Sequence, residues 1–403
     1  VYYAGEELSQ LQAEAYTAFM SENGLSPIAF PSLRRFEAEV LHMAYELFNH
    51  PEAAGTMTSG GSESVLMAVK TARDHARATR NVTRPELVIP VTAHPAFEKA
   101  AHYFGLEPVR IPLADDFRVD VKKLKDAINE NTALVVGSAP AYPHGIIDPI
   151  EEIAAAAQEK GVLCHVDACL GGFLLPFARR LGVAIPEFDF RVPGVTSISA
   201  DLHKYGYAAK GASVVLYRNK ELRRHQFFTY GNWPGGLYGS PSMTGTRPGG
   251  AIAAAWAVMK HLGEEGYLRL AGITLDTSKK LREGIAAIPG LRLLGSPNLS
   301  VFAFDSAEID VYALGDAMEA RGWKLDRQQL PPCLHMMVTP AHERIVEPFL
   351  SDLRACTESL KRGEPAPDGS AAMYGMVGAV PDRQMIDGFI LEFMDGLYEL
   401  PDE

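Results

Sequence analysis

Short apolar runs alternate with helical patterns from about residue 58 to residue 217. The apolar runs have the length of strands, and amphipathic helical segments separate them. Fully apolar strands joined by helices are typical of a mostly parallel sheet covered on both faces. The pattern therefore predicts an α/β fold with a mostly parallel central sheet. The strand-sized runs are ELVIPV, TALVVGSA, VLCHVDA, VTSISA and ASVVLY.

The segments on either side of this block have other patterns. Residues 6–48 carry apolar side chains at helical spacing, and residues 251–285 predict a long helix broken near Gly263. Short strand and helix patterns follow that helix. The sequence thus predicts three parts: an N-terminal helical segment at 1–57, a large α/β domain at 58–250 and a smaller α+β lobe at 251–403.

Composition narrows the class of protein. With 403 residues, of which 47% are hydrophobic, the chain can bury a sizeable core. The net charge of -12 and the lack of Lys/Arg blocks argue against a nucleic-acid surface, because phosphate backbones attract clustered positive charge. The four cysteines show no metal-ligand spacing, so we expect reduced thiols, no metal site and a cytoplasmic protein.

The chain contains no apolar run long enough for a membrane helix. The longest candidate, AIAAAWAVM, stops at Lys260. We therefore expect a soluble chain without a membrane span. Because the sequence starts with Val1 rather than Met, it leaves an upstream anchor open.

Polar residues that follow the strand patterns are the candidate site residues, because ligands of open α/β sheets bind beyond the carboxyl ends of the strands. Gly61 and Ser62 precede a helix in TMTSGGSES, where backbone N–H groups can receive a phosphate. The alternative is an ordinary glycine turn with Ser62 as N-cap. His94 follows ELVIPV and can stack on an aromatic ring or cap the next helix.

Asp167 and Lys204 end two further apolar runs. A buried carboxylate such as Asp167 needs a cationic or hydrogen-bonding partner, and a protonated ring nitrogen would serve. Partial burial near a phosphate site should favour the neutral form of Lys204, which is a nucleophile toward aldehydes. A glycine turn, a stacking histidine, an aspartate and a lysine in this order describe a pyridoxal-phosphate site. The alternative is a solvated loop lysine.

The motifs SISADLHKYGYAAKGAS, HVDACLGGFLLPF, TSGGSES and SPSMTGTRPGG resemble those of sphingosine-1-phosphate lyases. The likeness extends from about Val1 to near Tyr374. It implies the aspartate-aminotransferase fold, which is fold type I of pyridoxal-phosphate enzymes, and it implies pyridoxal 5'-phosphate as the cofactor. The resemblance also implies a homodimer whose active sites lie between the subunits.

The resemblance implies a role for each matching residue. Lys204 would bind the cofactor aldehyde, and Tyr142 would lie near the scissile bond. The remaining cofactor-binding residues would be His203, Asp167, His94, Gly61, Ser62 and, from the neighbouring subunit, Thr246. The substrate-binding residues would be Lys210, Tyr2, Asn23 and Ser26, of which Tyr2 and Asn23 match positions that cross the subunit interface.

One position departs from the pattern of the resembled family. Where that family has Asn-Pro-Leu-His-Pro, this chain has NGLSP, with Ser26 in place of the histidine. A hydroxyl group is shorter and uncharged, so one expected contact to a substrate phosphate is made differently or lost.

Structural or surface roles remain open for several of the candidate residues. Lys210 fits a surface charge as well as a phosphate ligand, and Tyr142 and His144 fit a Pro-Gly turn. Arg247 fits a structural ion pair better than a ligand contact.

The implied reaction is a retro-aldol cleavage, in which a phosphorylated long-chain amino alcohol gives a long-chain aldehyde and phosphoethanolamine. The group that takes the hydroxyl proton is open between Tyr142, Lys204 and a phosphate oxygen of the substrate. The alternative enzyme is an amino-acid decarboxylase, for which Arg247 is the obvious carboxylate-binding cation. A non-catalytic cofactor-binding protein is a third hypothesis, and it predicts an unreactive lysine.

Overall fold

The computed structural model describes residues 2–26, 28–367, 369, 371, 373–375, 380 and 383–400. The strands are β1 (Ala54–Thr58), β2 (Glu86–Pro90), β3 (Glu107–Ile111), β4 (Thr132–Ser138), β5 (Leu163–Asp167), β6 (Ser197–Ala200), β7 (Ser213–Tyr217), β8 (Phe228–Trp233), β9 (Gly236–Ser240), β10 (Leu291–Leu293), β11 (Val301–Ser306), β12 (Asp326–Gln329) and β13 (Pro332–Met337).

The helices include the predicted ones and several shorter ones. They are α1 (Glu6–Ala18), α2 (Pro31–Leu47), α3 (Gly61–Arg80), α4 (Ala96–Phe104), α5 (Val121–Ala127), α6 (Ile150–Glu159), α7 (Leu175–Arg180), α8 (Lys220–Arg224), α9 (Gly249–Ala286), α10 (Val311–Glu319), α11 (Val346–Lys361) and α12 (Arg383–Gly396), with a 3-10 helix at Pro340–Ile345. The predicted break in α9 is confirmed, because Gly263 has non-helical backbone angles there.

The described chain divides into two compact units. The larger unit takes its residues from 1–279, 295–301 and 338–344, and the smaller takes the rest. The predicted boundary at residue 250 falls at the beginning of α9, which stays in the larger unit up to Lys279.

The larger unit contains a seven-stranded sheet in the order β1-β7-β6-β5-β4-β2-β3. Strands β3, β2, β4, β5 and β6 pair in parallel, and only β7 runs against its two neighbours. The predicted α/β class with a mostly parallel sheet is confirmed. The smaller unit contains a four-stranded sheet in the order β10-β11-β13-β12 with α10 and α11, which fits an α+β lobe.

Helices cover both faces of the large sheet, as its apolar strands predict. Neighbouring residues of a strand point to opposite faces. In β4, Val136 packs into a buried cluster with Val69 of α3 and Phe97 of α4. A side chain at the next residue, Gly137, would meet Ile150 of α6. Apolar side chains of one strand therefore need helices on both sides.

A close approach after β4 fixes the segment that contains Tyr142. Gly145 has a φ of +68°, and a Cβ atom there would lie 1.8 Å from the carbonyl oxygen of Val301. Gly161 has nearly the same φ, +65°, but its Cβ position is open. The two glycines thus separate the cost of backbone strain from the cost of a steric clash.

We expect Gly145→Ala to lower the free energy of unfolding by about 3 kcal/mol or more, since left-handed strain and overpacking add. Gly161→Ala is the matched control and should cost about 1–2 kcal/mol from strain alone. Urea unfolding of the two variants measures the difference. Equal losses would contradict the steric explanation.

Candidate active site

Five strand ends meet at one edge of the large sheet. Strands β2, β4, β5 and β6 are parallel, and β1 runs in the same direction because it is related to β6 through two antiparallel pairings with β7. Their carboxyl ends therefore lie along the same edge. The sequence-predicted residues at or after these ends are Gly61, Ser62, His94, Tyr142, Asp167, His203 and Lys204.

Lys204 lies in a tight turn directly after β6. Its Nζ is 2.9 Å from Oδ2 of Asp201, and the side chain of Asp201 is only 1% exposed. The backbone N–H of Lys204 also donates to the carbonyl oxygen of Asp201, at 3.3 Å. The turn thus holds a buried carboxylate against the lysine amine.

The expectation of a neutral Lys204 is wrong for this structure. Burial acts to lower the pKa of the amine, but the negative charge of Asp201, with a smaller contribution from Asp167, outweighs it. The pKa of Lys204 is therefore raised above its ordinary value, and the amine is an ammonium group at neutral pH.

Asp167 ends β5 as predicted and is buried. Its Oδ1 accepts the N–H of Cys169 at 3.0 Å and the hydroxyl of Ser199 at 3.3 Å. In the part of the chain that the structure describes, no group donates to Oδ2. One carboxylate oxygen is thus fixed by the protein, and the other can accept a bond from a ligand.

A histidine inside the sheet continues this hydrogen-bond chain. Nε2 of His165 is 3.1 Å from the hydroxyl of Ser199, and Nδ1 is 2.8 Å from the hydroxyl of Ser197. Burial lowers the pKa of His165 to about 4, so its ring is neutral. Neutral groups therefore orient Asp167 without cancelling its charge, and this leaves the carboxylate suited to a protonated ring nitrogen.

The predicted glycine turn joins β1 to α3. The N-cap residue, Gly60, has no side chain to accept the N–H groups of the first helical turn, including those of Gly61 and Ser62. A Cβ at Gly61 would lie 2.8 Å from both carboxylate oxygens of Asp201 and 2.9 Å from the sulfur of Cys169. Glycine is therefore required, because it lets the helix start approach the turn that holds Lys204.

Glu63 links this helix start to the loop that contains Thr246. Its Oε2 accepts the N–H of Ser59 at 2.6 Å, and its Oε1 accepts the N–H of Met243 at 2.8 Å. Thr246 itself is exposed. The buried carboxylate thus fixes the position of this loop beside α3.

His94 caps the helix that follows it. Its Nδ1 accepts the N–H of Ala96 at 3.1 Å, and its ring is exposed. This contact fits the capping interpretation, and stacking on a cofactor ring stays a prediction. The bond also fixes the ring orientation and leaves its faces accessible.

Arg247 forms the structural ion pair considered in the sequence. It makes two bonds to Glu37, of 3.0 and 2.5 Å, and donates to the carbonyl oxygen of Met57 at 3.2 Å. Arg247 is buried. Its charge is therefore already neutralised by Glu37.

Asn23 contacts the loop that contains Arg247. Its Oδ1 accepts the N–H of Leu25 at 2.9 Å and the N–H of Arg247 at 3.1 Å. Ser26, three residues further on, is exposed, and its N–H donates to the carbonyl oxygen of Asn23 at 3.1 Å. The structure thus places Asn23 and Ser26 in one turn.

Lys210 lies near Tyr2 and the Lys204 turn. Its Nζ donates to the carbonyl oxygen of His203 at 3.1 Å and lies 5.3 Å from the ring centroid of Tyr2. Burial and the charge of Lys204 lower the pKa of Lys210. Tyr2 packs edge-on against Tyr205 at 4.9 Å, and its electrostatic neighbours include Asp201 and Tyr142. Tyr2 and Lys210 are therefore close to Lys204 within a single chain.

Asp201, Cys169 and Glu63 received no role from the sequence. Asp201 stands in the motif SISADLHKYGYAAKGAS, three residues before Lys204, so its proximity to the lysine in sequence was the available signal. Cys169 and Glu63 gave no comparable signal, because their contacts join separate strand ends.

The residues present fit pyridoxal 5'-phosphate. The lysine amine matches the aldehyde of the cofactor, and the carboxylate oriented by neutral groups matches its ring nitrogen. The uncapped, glycine-rich helix start matches its phosphate. The fold and the site thus define an enzyme that depends on pyridoxal phosphate.

Comparison with known proteins identifies the family. Residues 1–306 match the model described as pyridoxal-dependent decarboxylase conserved domain. The chain belongs to this family and, within it, to the sphingosine-1-phosphate lyases. The resemblance noted in the sequence is confirmed.

Three relatives show the extent of the likeness. The sphingosine-1-phosphate lyase of Arabidopsis thaliana is 46% identical over 408 residues, covering 99% of this chain and 75% of that protein. The solved sphingosine-1-phosphate lyase of Burkholderia pseudomallei is 40% identical with a TM-score of 0.92, covering 100% of this chain and 90% of that one. A probable L-tyrosine/L-aspartate decarboxylase of Methanothermobacter thermautotrophicus is 35% identical, covering 85% of this chain and 93% of that protein.

Proposed function

We propose that this enzyme cleaves a phosphorylated sphingoid base, such as sphingosine 1-phosphate, into a long-chain aldehyde and phosphoethanolamine. The observation that carries the proposal is the identity of 40–47% with named sphingosine-1-phosphate lyases over nearly the whole chain. The bond that breaks joins the amine-bearing carbon to the neighbouring hydroxyl-bearing carbon.

Each cofactor-facing residue has a task that follows from its chemistry. When bound, the cofactor accepts the electron pair of the breaking bond. Lys204 would hold the cofactor covalently, Asp167 would keep its ring nitrogen protonated, and the exposed ring of His94 would stack on the cofactor ring. Gly61, Ser62 and His203 would hold the phosphate at the start of α3, and Thr246 of a second subunit would contribute there.

The hydroxyl proton of the substrate needs an acceptor close to the breaking bond. Tyr142, Lys204 after its release and a substrate phosphate oxygen are the candidates. Tyr2 is unsuited to act as a base, because burial raises its pKa above the ordinary tyrosine value.

The substrate phosphate would be held by one cationic side chain, Lys210, and by polar side chains of the N-terminal segment. Lys210 supports this assignment, since its ammonium group lies beside Tyr2 and the Lys204 turn. Asn23 and the exposed Ser26 complete the set. Ser26 supplies a neutral hydroxyl where the resembled family has an imidazole, so Lys210 carries more of the charge recognition.

The amino-acid decarboxylase alternative loses its candidate cation. That reaction needs a positive group aimed at the substrate carboxylate, and Arg247 was the obvious choice. Arg247 is instead buried in its pair with Glu37. Moving it to a ligand would leave Glu37 unpaired, which is costly for a partly buried charge.

A homodimer is supported by an exposed apolar hairpin, formed by β8 and β9. Its base is held by Gln226, whose Nε2 donates to Thr56 at 2.7 Å. Beyond the base, Trp233 is 52% exposed and Leu237 is 91% exposed. A second copy of the chain would cover this surface.

A cytoplasmic location fits the four cysteines, which are all free and buried.

Among the residues that the structure describes, no helix combines the length and apolar character that crossing a membrane requires.

The holoenzyme should release a trappable long-chain aldehyde from sphingosine 1-phosphate, and Lys204→Ala should abolish both this turnover and the borohydride-stable cofactor label. The reason is that the Lys204 amine is the covalent attachment point. Lys160→Ala, at an exposed position, is the control and should keep both. Carbon dioxide release from amino acids without aldehyde formation would overturn the proposal.

Lys210→Ala should raise KM for phosphorylated substrates by about tenfold or more, because a charge-assisted contact is lost. Substrates without the phosphate should be affected far less. Steady-state kinetics on matched pairs measure the ratio, with Lys122→Ala as an exposed control. Equal losses on both substrates would count against a phosphate role.

Sedimentation should give about twice the monomer mass of 43.8 kDa. Leu237→Asp should shift the equilibrium toward monomer, because it places a charge in the apolar hairpin. Leu330→Asp, at another exposed leucine, is the control. A dimer that Leu237→Asp leaves unchanged would exclude the hairpin as the contact.

A further inference from the structure

Asp201 is a buried carboxylate at the reacting amine for which the proposed reaction has no use. It is 2% exposed, and its Oδ2 is 2.9 Å from the amine of Lys204. Its Oδ1 is also buried and accepts no hydrogen bond within the described residues. A buried carboxylate with so few partners depends on its cation.

The neighbours of this pair do not replace that cation. Nε2 of His203 is 3.7 Å from Asp201, but burial, the first of several influences, lowers the pKa of His203, so its ring is neutral at physiological pH. Burial raises the pKa of the Cys169 thiol, which therefore also stays neutral. The amine of Lys210 donates to a backbone carbonyl instead. Asp167 adds a second negative group near Lys204.

We propose that Asp201 holds Lys204 as an ammonium group and so sets the pH range in which Lys204 can react with the aldehyde of its cofactor. The inference rests on the proposed role of Lys204. Asp201 acts here as a positioning and proton-holding residue, since it touches the reacting nitrogen but forms no covalent bond.

The covalent step then begins with a proton transfer within the pair. One of the three ammonium protons moves to the carboxylate of Asp201. With the cofactor bound, the lysine nitrogen would form a double bond to the aldehyde carbon, and its other two protons would leave with the aldehyde oxygen as water. When Lys204 is set free again, the proton on Asp201 can return to it.

The test is the pH profile of amine reactivity in the 403-residue chain after removal of the cofactor. Trace acetic anhydride modifies only neutral amines, and peptide mass spectrometry follows Lys204 and Lys210 in the same sample. In the wild type, Lys204 should reach half-maximal reactivity at a higher pH than Lys210, because Asp201 stabilises its ammonium form.

Asp201→Asn should lower the pH of half-maximal Lys204 reactivity by about one unit or more, which is about a tenfold gain in reactive amine on the rising part of the profile. Asp201→Glu should restore the wild-type profile. Asp189→Asn is the matched control, because Asp189 is equally buried and pairs with Arg191 at 2.8 Å. It should leave the Lys204 profile unchanged.

A second measurement follows pyridoxal 5'-phosphate capture by visible absorbance, and the rate profile of Asp201→Asn should shift to lower pH by the same amount. If Asp201→Asn does not fold, the wild-type protein still tests the inference, because Lys204 should reach half-maximal reactivity at a higher pH than Lys210. An unchanged profile in Asp201→Asn, or a wild-type Lys204 that titrates at or below Lys210, would overturn the inference. Neither measurement uses a substrate, so failure of sphingosine 1-phosphate cleavage is a separate result.

Discussion

The contact between the buried carboxylate of Asp201 and the amine of Lys204 is the interaction around which the site is built. It requires that α3 begin with a residue that has no side chain, because any Cβ at Gly61 would collide with both oxygens of Asp201. The sulfur of Cys169, which follows β5, would lie 2.9 Å from the same Cβ. The segments that follow β1, β5 and β6 thus meet at this ion pair, because the carboxyl ends of these strands lie at the same edge of the sheet.

The polar groups around the cofactor position are arranged in two ways. Asp167 is oriented by neutral donors that run through Ser199 to His165 inside the sheet. Glu63 instead uses its charge to fix two backbone segments. The carboxylate of Asp167 thus keeps its negative charge available for a ligand. Both oxygens of Glu63 are instead occupied by backbone N–H groups. Burial is similar in both cases, so the difference lies in the partners.

The fold class and the order of the site residues could be predicted because apolar strand runs and the residues directly after them are local in sequence. The charge state of Lys204 could not, because it depends on a distance of 2.9 Å to Asp201 and not on burial alone. The hydrogen bond of His94 to the next helix and the pairing of Arg247 with Glu37 could be established only from the contacts in the structure. The hairpin of β8 and β9 was missed, since its glycines interrupt the strand pattern.

The pair between Arg247 and Glu37 has a consequence for redesign. Converting this scaffold to act on amino-acid carboxylates would require a new cation at the substrate position. Arg247 is not available for this role, because its pair with Glu37 holds the segment that precedes α9. Replacing Glu37 to liberate it would also remove an acceptor of the Met57 N–H and so loosen β1. An engineer would therefore do better to introduce a basic side chain on a neighbouring strand end and leave the existing pair intact.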